Sequence, residues 1–231
     1  MAKRTSWILF VKQQWLKGMY PLPMFTMPFS SSVDWVLNSK VKLNGRCASK
    51  QATHIYYLPG HGGRITNGLG QALVARGYEV VGRETVGDFK KLDFNAQVTT
   101  VANDIKEHFW REDAKIIANS FGGYLLLHAL SKLDPYIGKI LLLSPIVGEF
   151  SNEEISMGFI PPYADRLSEL ASTNQYPAPM NCSFHVGSED WQSNPENVAK
   201  LARLLGLPVT VVPNAGHQLP KDYVSSLLDN F

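Results

Sequence analysis

The run Lys115-Ile-Ile-Ala-Asn-Ser120-Phe-Gly-Gly-Tyr124 joins a short apolar, β-branched stretch to a helix-forming one through a single serine with small residues on both sides. Lys115 to Asn119 reads as a buried strand and Phe121 to Leu133 as the helix that follows it. A residue at position 120 then stands on a turn too tight for large neighbours, which accounts for Ala118 before it and for Gly122 and Gly123 after it. Such a turn pushes the Ser120 hydroxyl out above the end of the sheet. The helix that starts there aims its first N–H groups, and the positive end of its dipole, at any negative charge that develops beside the serine. A serine at a helix start is more commonly a simple cap, so the functional reading depends on what the rest of the chain sets around it.

Outward from this unit the pattern is regular. Further strands are predicted at Thr53 to Leu58, Tyr78 to Arg83, Lys139 to Leu143, Ser183 to Val186 and Val209 to Val212, each short and rich in β-branched or aromatic residues. Between them lie amphipathic stretches with apolar residues at three-to-four spacing, predicting helices over Ile65 to Arg76, Phe94 to Trp110, Pro195 to Leu205 and Pro220 to Leu228. Strands that alternate with helices form βαβ units with right-handed crossovers, so the fold class is α/β: a mostly parallel sheet with helices on both faces. One connection is longer than the rest. It runs from Pro145 to about Met180, carries Pro161-Pro162 and a short helix around Asp165 to Ala171, and has the length of a cap or lid.

The 231 residues suit one domain of ordinary size, and 45% apolar against 18% charged residues is the mix of a chain that folds. Lys and Arg (22) nearly cancel Asp and Glu (20), so the net charge of +2 provides no field for nucleic acid, and no nucleic-acid partner is expected. The two cysteines, Cys47 and Cys182, make neither a framework nor a zinc motif and fit a reducing, cytoplasmic setting, although a single disulfide between them stays open. No run approaches the ~18 consecutive apolar residues of a membrane span. Lys3 and Arg4 before Trp7-Ile-Leu-Phe-Val11 imitate a signal peptide, but Lys12-Gln-Gln14 ends the run and no small-residue cleavage site follows. Residues 1–52 are expected to be an extension packed on the core domain at 53–231, with peripheral contact to a membrane or an acyl chain as the alternative.

Two later strands lead into loops that carry the remaining chemistry. Ser183 to Val186 runs into Gly187-Ser-Glu-Asp190-Trp191, and Val209 to Val212 into Pro213-Asn-Ala-Gly216-His217. Sites in open parallel sheets form at the carboxyl ends of strands, so an acid and a histidine in these loops can converge on Ser120 despite their distance in sequence. Asp190 is the candidate acid, with Glu189 as its competitor and an Asx-turn or helix cap as the bland role for Asp190. A third element, Tyr57-Leu-Pro-Gly60-His-Gly-Gly63, is a strand entering a glycine-rich turn that can approach a ligand closely. A dinucleotide loop is its rival reading, with Glu84 at the right distance to hold a ribose, but Ile65 falls where that fingerprint needs a third small residue. His54, His108, His128 and His185 lie within predicted strands or helices and are read as packed or surface residues. No metal-ligand spacing occurs.

With Ser120 on such a turn, Asp190 and His217 in that chain order, and the glycine turn after the first strand, residues from about Thr53 to Phe231 resemble the α/β-hydrolase superfamily. Ala118 replaces the first glycine of the G-x-S-x-G elbow, while Gly122 is kept. The resemblance implies a triad of Ser120 as nucleophile, His217 as base and Asp190 as its acid, with an oxyanion hole made of the Phe121 N–H and that of His61 or Gly62. It implies a small serine hydrolase that cleaves a carboxylic ester or thioester of a small-molecule acyl substrate and needs no cofactor. An acyltransferase using the same triad, or a non-catalytic binding protein on the same fold, are the alternatives. The cap residues Met157, Phe159, Ile160 and Tyr163 point to an apolar acyl or aromatic group.

Overall fold

The computed structural model describes residues 53–231. The N-terminal extension expected at 1–52, and with it any peripheral membrane contact, lies outside the described residues. In chain order the elements are β1 (His54–Leu58), α1 (Leu69–Ala75), β2 (Glu79–Gly82), α2 (Gly87–Lys91), α3 (Phe94–His108), β3 (Lys115–Asn119), α4 (Phe121–Leu130), β4 (Lys139–Leu143), β5 (Phe150–Asn152), β6 (Met157–Phe159), α5 (Arg166–Ser172), β7 (Asn181–Gly187), α6 (Pro195–Leu204), β8 (Val209–Val212) and α7 (Lys221–Asp229). Six strands form one sheet in the order β2-β1-β3-β4-β7-β8, and every neighbouring pair is parallel.

Alternation along the strands explains the two layers of helices. On β1, Tyr56 and Leu58 point to one face, where they join Ile116, Ala118, Ile140, Leu142 and Phe184 under residues of α3, α4, α5 and α6. Ile55 and Tyr57 point to the other, with Val80, Ile117, Leu141 and Leu143 packed on Leu73 of α1 and Leu228 of α7. Strands buried on both faces read as near-continuous apolar runs, as Ile116-Ile117-Ala118 and Ile140-Leu141-Leu142-Leu143 do. On the larger face, Arg83 reaches from the end of β2 to the Asp104 carboxylate on α3 through two hydrogen bonds of 2.6 and 2.7 Å, and Tyr56 Oη donates to the same carboxylate at 2.8 Å. The ions are buried but mutually satisfied, which tethers α3 to the sheet edge.

The register brings strand ends level. Leu58 pairs with Ala118, Ala118 with Leu142, and Leu142 with Phe184, so the loops that follow β1, β3, β4 and β7 leave from one end of the sheet. The chain goes from β1 outward to β2 and returns to β3 on β1's other side, so β1 and β3 flank the point where the winding direction reverses.

Three elements carry no signal in the sequence, and all are short. The five residues of α2 offer no full amphipathic period, and β5 and β6, three residues each, make an antiparallel hairpin inside the cap. The predicted helix from Ile65 begins only at Leu69, because Asn67-Gly68 turns the chain first, with Gly68 at φ 51°. The short cap helix lies at Arg166–Ser172, one residue on from its expected place.

His128, on α4, is 5% exposed, stacks edge-on against Tyr124 and Phe94, and has a buried Nε2 with no partner among the described residues. Burial, then the charges of Lys132 and Arg166, push its pKa down to about 4. The unfolded chain therefore takes up this proton near pH 6.5 while the folded one resists it to about pH 4, so stability falls with pH across that window. The loss is on the order of 3 kcal/mol. Urea denaturation at pH 7 and pH 4.5 should show that drop, and His128→Phe should remove most of the difference.

Candidate active site

The turn after β3 holds Ser120 at φ 52°, ψ −124°, in a region that L-residues seldom occupy. The chain around it fixes this posture: Ser120 N–H donates to Leu143 O at 3.1 Å, and Ser120 O accepts from Ile146 N–H at 3.1 Å and Tyr124 N–H at 3.3 Å. Ala118 is fully buried. A Cβ on Gly122 would stand 2.2 Å from Leu58 O and 2.5 Å from Pro59 O, so the first turn of α4 lies directly against the exit of β1. On the other side of the serine, a Cβ at Gly60 would come within 3.0 Å of Ser120 Cβ. The glycine turn after β1 and the serine turn after β3 therefore touch.

Asp190 and His217 come to this serine from the two distant loops. Ser120 Oγ–H donates to His217 Nε2 at 2.9 Å, and His217 Nδ1–H lies 3.0 Å from both oxygens of Asp190. Asp190 is 1% exposed, and its Oδ1 also accepts the N–H groups of Gln192 (3.0 Å) and Ser193 (2.9 Å). The first bond of that pair, from the residue two positions on, is that of an Asx turn, and the second, three positions on, is a capping bond, so the carboxylate serves its own loop and the imidazole together. Glu189 is exposed and contributes only its N–H, which donates to Ala215 O at 2.9 Å. The two loops are sewn to each other by that bond and by Ser188 N–H to Val212 O at 2.9 Å. Gly187 permits the approach, since a Cβ there would meet Ala215 O at 2.1 Å.

The turn Gly60–Gly63 closes with Gly63 N–H donating to Gly60 O at 2.9 Å, and Gly62 takes φ 73°. His61 stands edge-on to the Phe121 ring, with centroids 5.8 Å apart. Burial, then the Lys90 charge, lower the His61 pKa, which leaves its ring uncharged at neutral pH. Phe121 opens α4, so its N–H has no acceptor within the helix. Glu84 does not have the freedom a ribose ligand needs: it accepts from Ile65 N–H at 3.1 Å and pairs with Arg64 at 3.1 Å. The other histidines stand apart from Ser120: His54 pairs with Glu79, and His185 bonds Tyr223 and Ser183.

Two polar residues around the site carry no motif and were not singled out. Ser193, 1% exposed, donates to Ser144 O at 2.6 Å and lies 3.5 Å from His217 Nδ1, joining the acid loop to the end of β4. Thr85, just past β2, bonds the glycine turn through Gly63 N–H at 2.9 Å. The only signal for either was a small hydroxyl residue soon after a strand.

Aromatic side chains from the cap complete the surroundings. Phe159 of β6 meets Phe121 edge-on at 6.5 Å, Phe150 packs on Phe159 at 5.5 Å, and Trp191, next to Asp190, packs on Phe150 at 5.7 Å. Tyr124 Oη donates to Pro162 O at 2.7 Å and Asn95 to Tyr163 Oη at 2.8 Å, so α4 and α3 both hold the cap.

By sequence, no family model and no curated protein matches the chain. Its structure, however, resembles that of the carboxylesterase CesB (YbfK) from Bacillus subtilis, with a TM-score of 0.55 and 17% identity over 79% of this chain and 84% of that one. It is also similar to alpha/beta hydrolase domain-containing protein 10 from mouse, with a TM-score of 0.56 and 12% identity over 85% of this chain and 96% of that one. The fold is the α/β-hydrolase fold. A CIB-like hydrolase from Thermoplasma acidophilum shares it, with a TM-score of 0.53 and 14% identity over 85% of this chain and 98% of that one. Within this α/β-hydrolase fold, the elbow stands at the reversal point between β1 and β3, and the acid and histidine loops follow β7 and β8.

The elbow geometry has a steric consequence. Gly122→Ala should cost roughly 3 kcal/mol or more, because its methyl meets backbone carbonyls that cannot step aside. Ala118→Gly should cost only about 1 kcal/mol through backbone entropy. Chemical denaturation of the two variants checks the contrast.

Proposed function

We propose that this protein is a serine hydrolase that cleaves a carboxylic ester or thioester of a small apolar acyl substrate. The observation that supports it is the unbroken hydrogen-bonded line from Ser120 through His217 to the buried Asp190. In this reading His217 Nε2 takes the Ser120 proton as Oγ attacks the acyl carbon. Asp190, acceptor of the Nδ1–H, holds the ring in the tautomer that leaves Nε2 free and stabilises the imidazolium that results. The oxyanion rests on the N–H of Phe121 and that of His61 or Gly62, the former strengthened by the dipole of α4. His217 then protonates the leaving alcohol or thiol, and a water activated by the same nitrogen hydrolyses the acyl-enzyme. All the parts are side chains and backbone of this chain, so the reading needs no cofactor.

Support for an apolar acyl group comes from the rings of Phe121, Phe159, Phe150 and Trp191, which run in contact from the elbow to the acid loop. The cytoplasmic setting belongs to the same reading: the Cys182 thiol is buried, and burial pushes its pKa up and keeps it protonated and unreactive. No helix among the described residues is long and apolar enough to cross a membrane.

A fluorophosphonate probe followed by intact-mass analysis is the direct test. One adduct on the wild type, lost in Ser120→Ala and suppressed in His217→Ala, is expected, together with turnover of p-nitrophenyl esters. Asp190→Asn should lower kcat by about 10⁴-fold, since the amide favours the wrong tautomer of His217. A folded wild type that neither labels nor turns over any ester or thioester would overturn the reading.

A further inference from the structure

We infer that Thr85 is the positioning residue of the oxyanion turn, holding the His61 and Gly62 N–H groups at the place where negative charge forms beside Ser120. The inference rests on the hydrolase reading above and adds to it a residue outside every motif in the chain.

The turn needs an outside restraint. Of its four residues, Gly60, Gly62 and Gly63 have no side chain, so only His61, edge-on to the Phe121 ring, offers one for packing. A Cβ on Gly62 would meet nothing within 4 Å, which means the glycine is there for its φ of 73° and fills no gap. Glycine gains this freedom at an entropic cost, and a turn made mostly of it samples many shapes unless something holds it. A donor that must be frozen during the reaction stabilises the transition state less than one fixed beforehand.

Thr85 supplies the restraint from the loop that follows the neighbouring strand β2. Its Oγ1 accepts from Gly63 N–H at 2.9 Å and donates to Gly60 O, and its own N–H donates to Gly63 O at 3.1 Å. The hydroxyl thus bridges the first and last residues of the turn, leaving the two middle N–H groups between them. Thr85 is 3% exposed, and its β-branched side chain has little rotamer freedom to lose. Its own position is set by the sheet: β2 lies beside β1 from Glu79 to Gly82, and a Cβ on Gly82 would stand 2.0 Å from Tyr57 O. Next to it, Glu84 holds the following residue through Ile65 N–H. Since Gly60 packs against Ser120 itself, the clamp reaches from the sheet to the nucleophile in three contacts.

Thr85 touches the turn and no reacting atom, so its loss should appear in kcat and leave KM alone. The experiment compares Thr85→Val, which keeps the shape and removes the hydroxyl, with Thr85→Ser, which keeps the hydroxyl. Both are read by p-nitrophenyl ester kinetics, fluorophosphonate labelling and amide hydrogen exchange of the peptide covering residues 59–65. Thr85→Val should lower kcat by at least about tenfold with KM within about twofold, and speed exchange in the turn, while Thr85→Ser stays close to wild type. If Thr85→Val does not fold, Thr85→Ala is read in the same way. Unchanged kcat and exchange overturn the inference, and so does a kcat loss that Thr85→Ser fails to restore or that KM matches. A wild type without labelling at Ser120 sinks the hydrolase reading, and turn exchange unaltered by Thr85→Val then overturns the clamp as well.

Discussion

The site hangs on the contact between the start of α4 and the end of β1. Two backbone segments meet there with no side chain between them, because Gly122 stands against the carbonyls of Leu58 and Pro59 and Gly60 stands against Ser120. This closeness forces Ser120 into a positive φ, and that posture lifts the hydroxyl away from the sheet toward His217. It also places the N–H of Phe121, which has no acceptor within its helix, next to the turn that contains His61 and Gly62. A strained residue persists where its surroundings over-determine it, and here three backbone hydrogen bonds do so.

A second close approach serves the other half of the site. Gly187 lets the His217 loop lie on the Asp190 loop, so acid and imidazole are carried by two loops bonded to each other. The buried carboxylate would be costly alone. Two N–H groups of its own loop and the Nδ1–H of His217 satisfy it, which ties the Asp190 carboxylate to the orientation of the ring. Ser193 extends the same network to the backbone of Ser144. The polar atoms of the site thus lie along one line at the strand ends, while the sheet beneath packs mainly apolar residues on both faces, with the Arg83–Asp104 pair at its edge.

The cap differs in kind from this frame. Its hairpin is three residues a side and displays Met157, Phe159 and, just beyond, Ile160 at the surface, whereas α5 buries Leu167 and Leu170 in the core. Helix α5 thus anchors the insertion, and the hairpin reaches over the elbow through rings alone.

The sequence by itself determined the alternation of strand and helix, because period-two burial on both faces leaves continuous apolar runs and amphipathic helices leave three-to-four spacing. Ser120, Asp190 and His217 were legible because steric demand at the elbow and the ends of parallel strands restrict where such residues can stand. The G-x-x-D spacing favoured Asp190 over its neighbour Glu189, and the folded loop shows Asp190 as the one that faces His217. The hairpin of the cap and α2 were too short to carry a period. Thr85 and Ser193 were invisible for a different reason. Each works through hydrogen bonds to residues 22 to 49 positions away, and a bond between a side-chain hydroxyl and a distant backbone group leaves no pattern along the chain until the sheet brings its strands side by side.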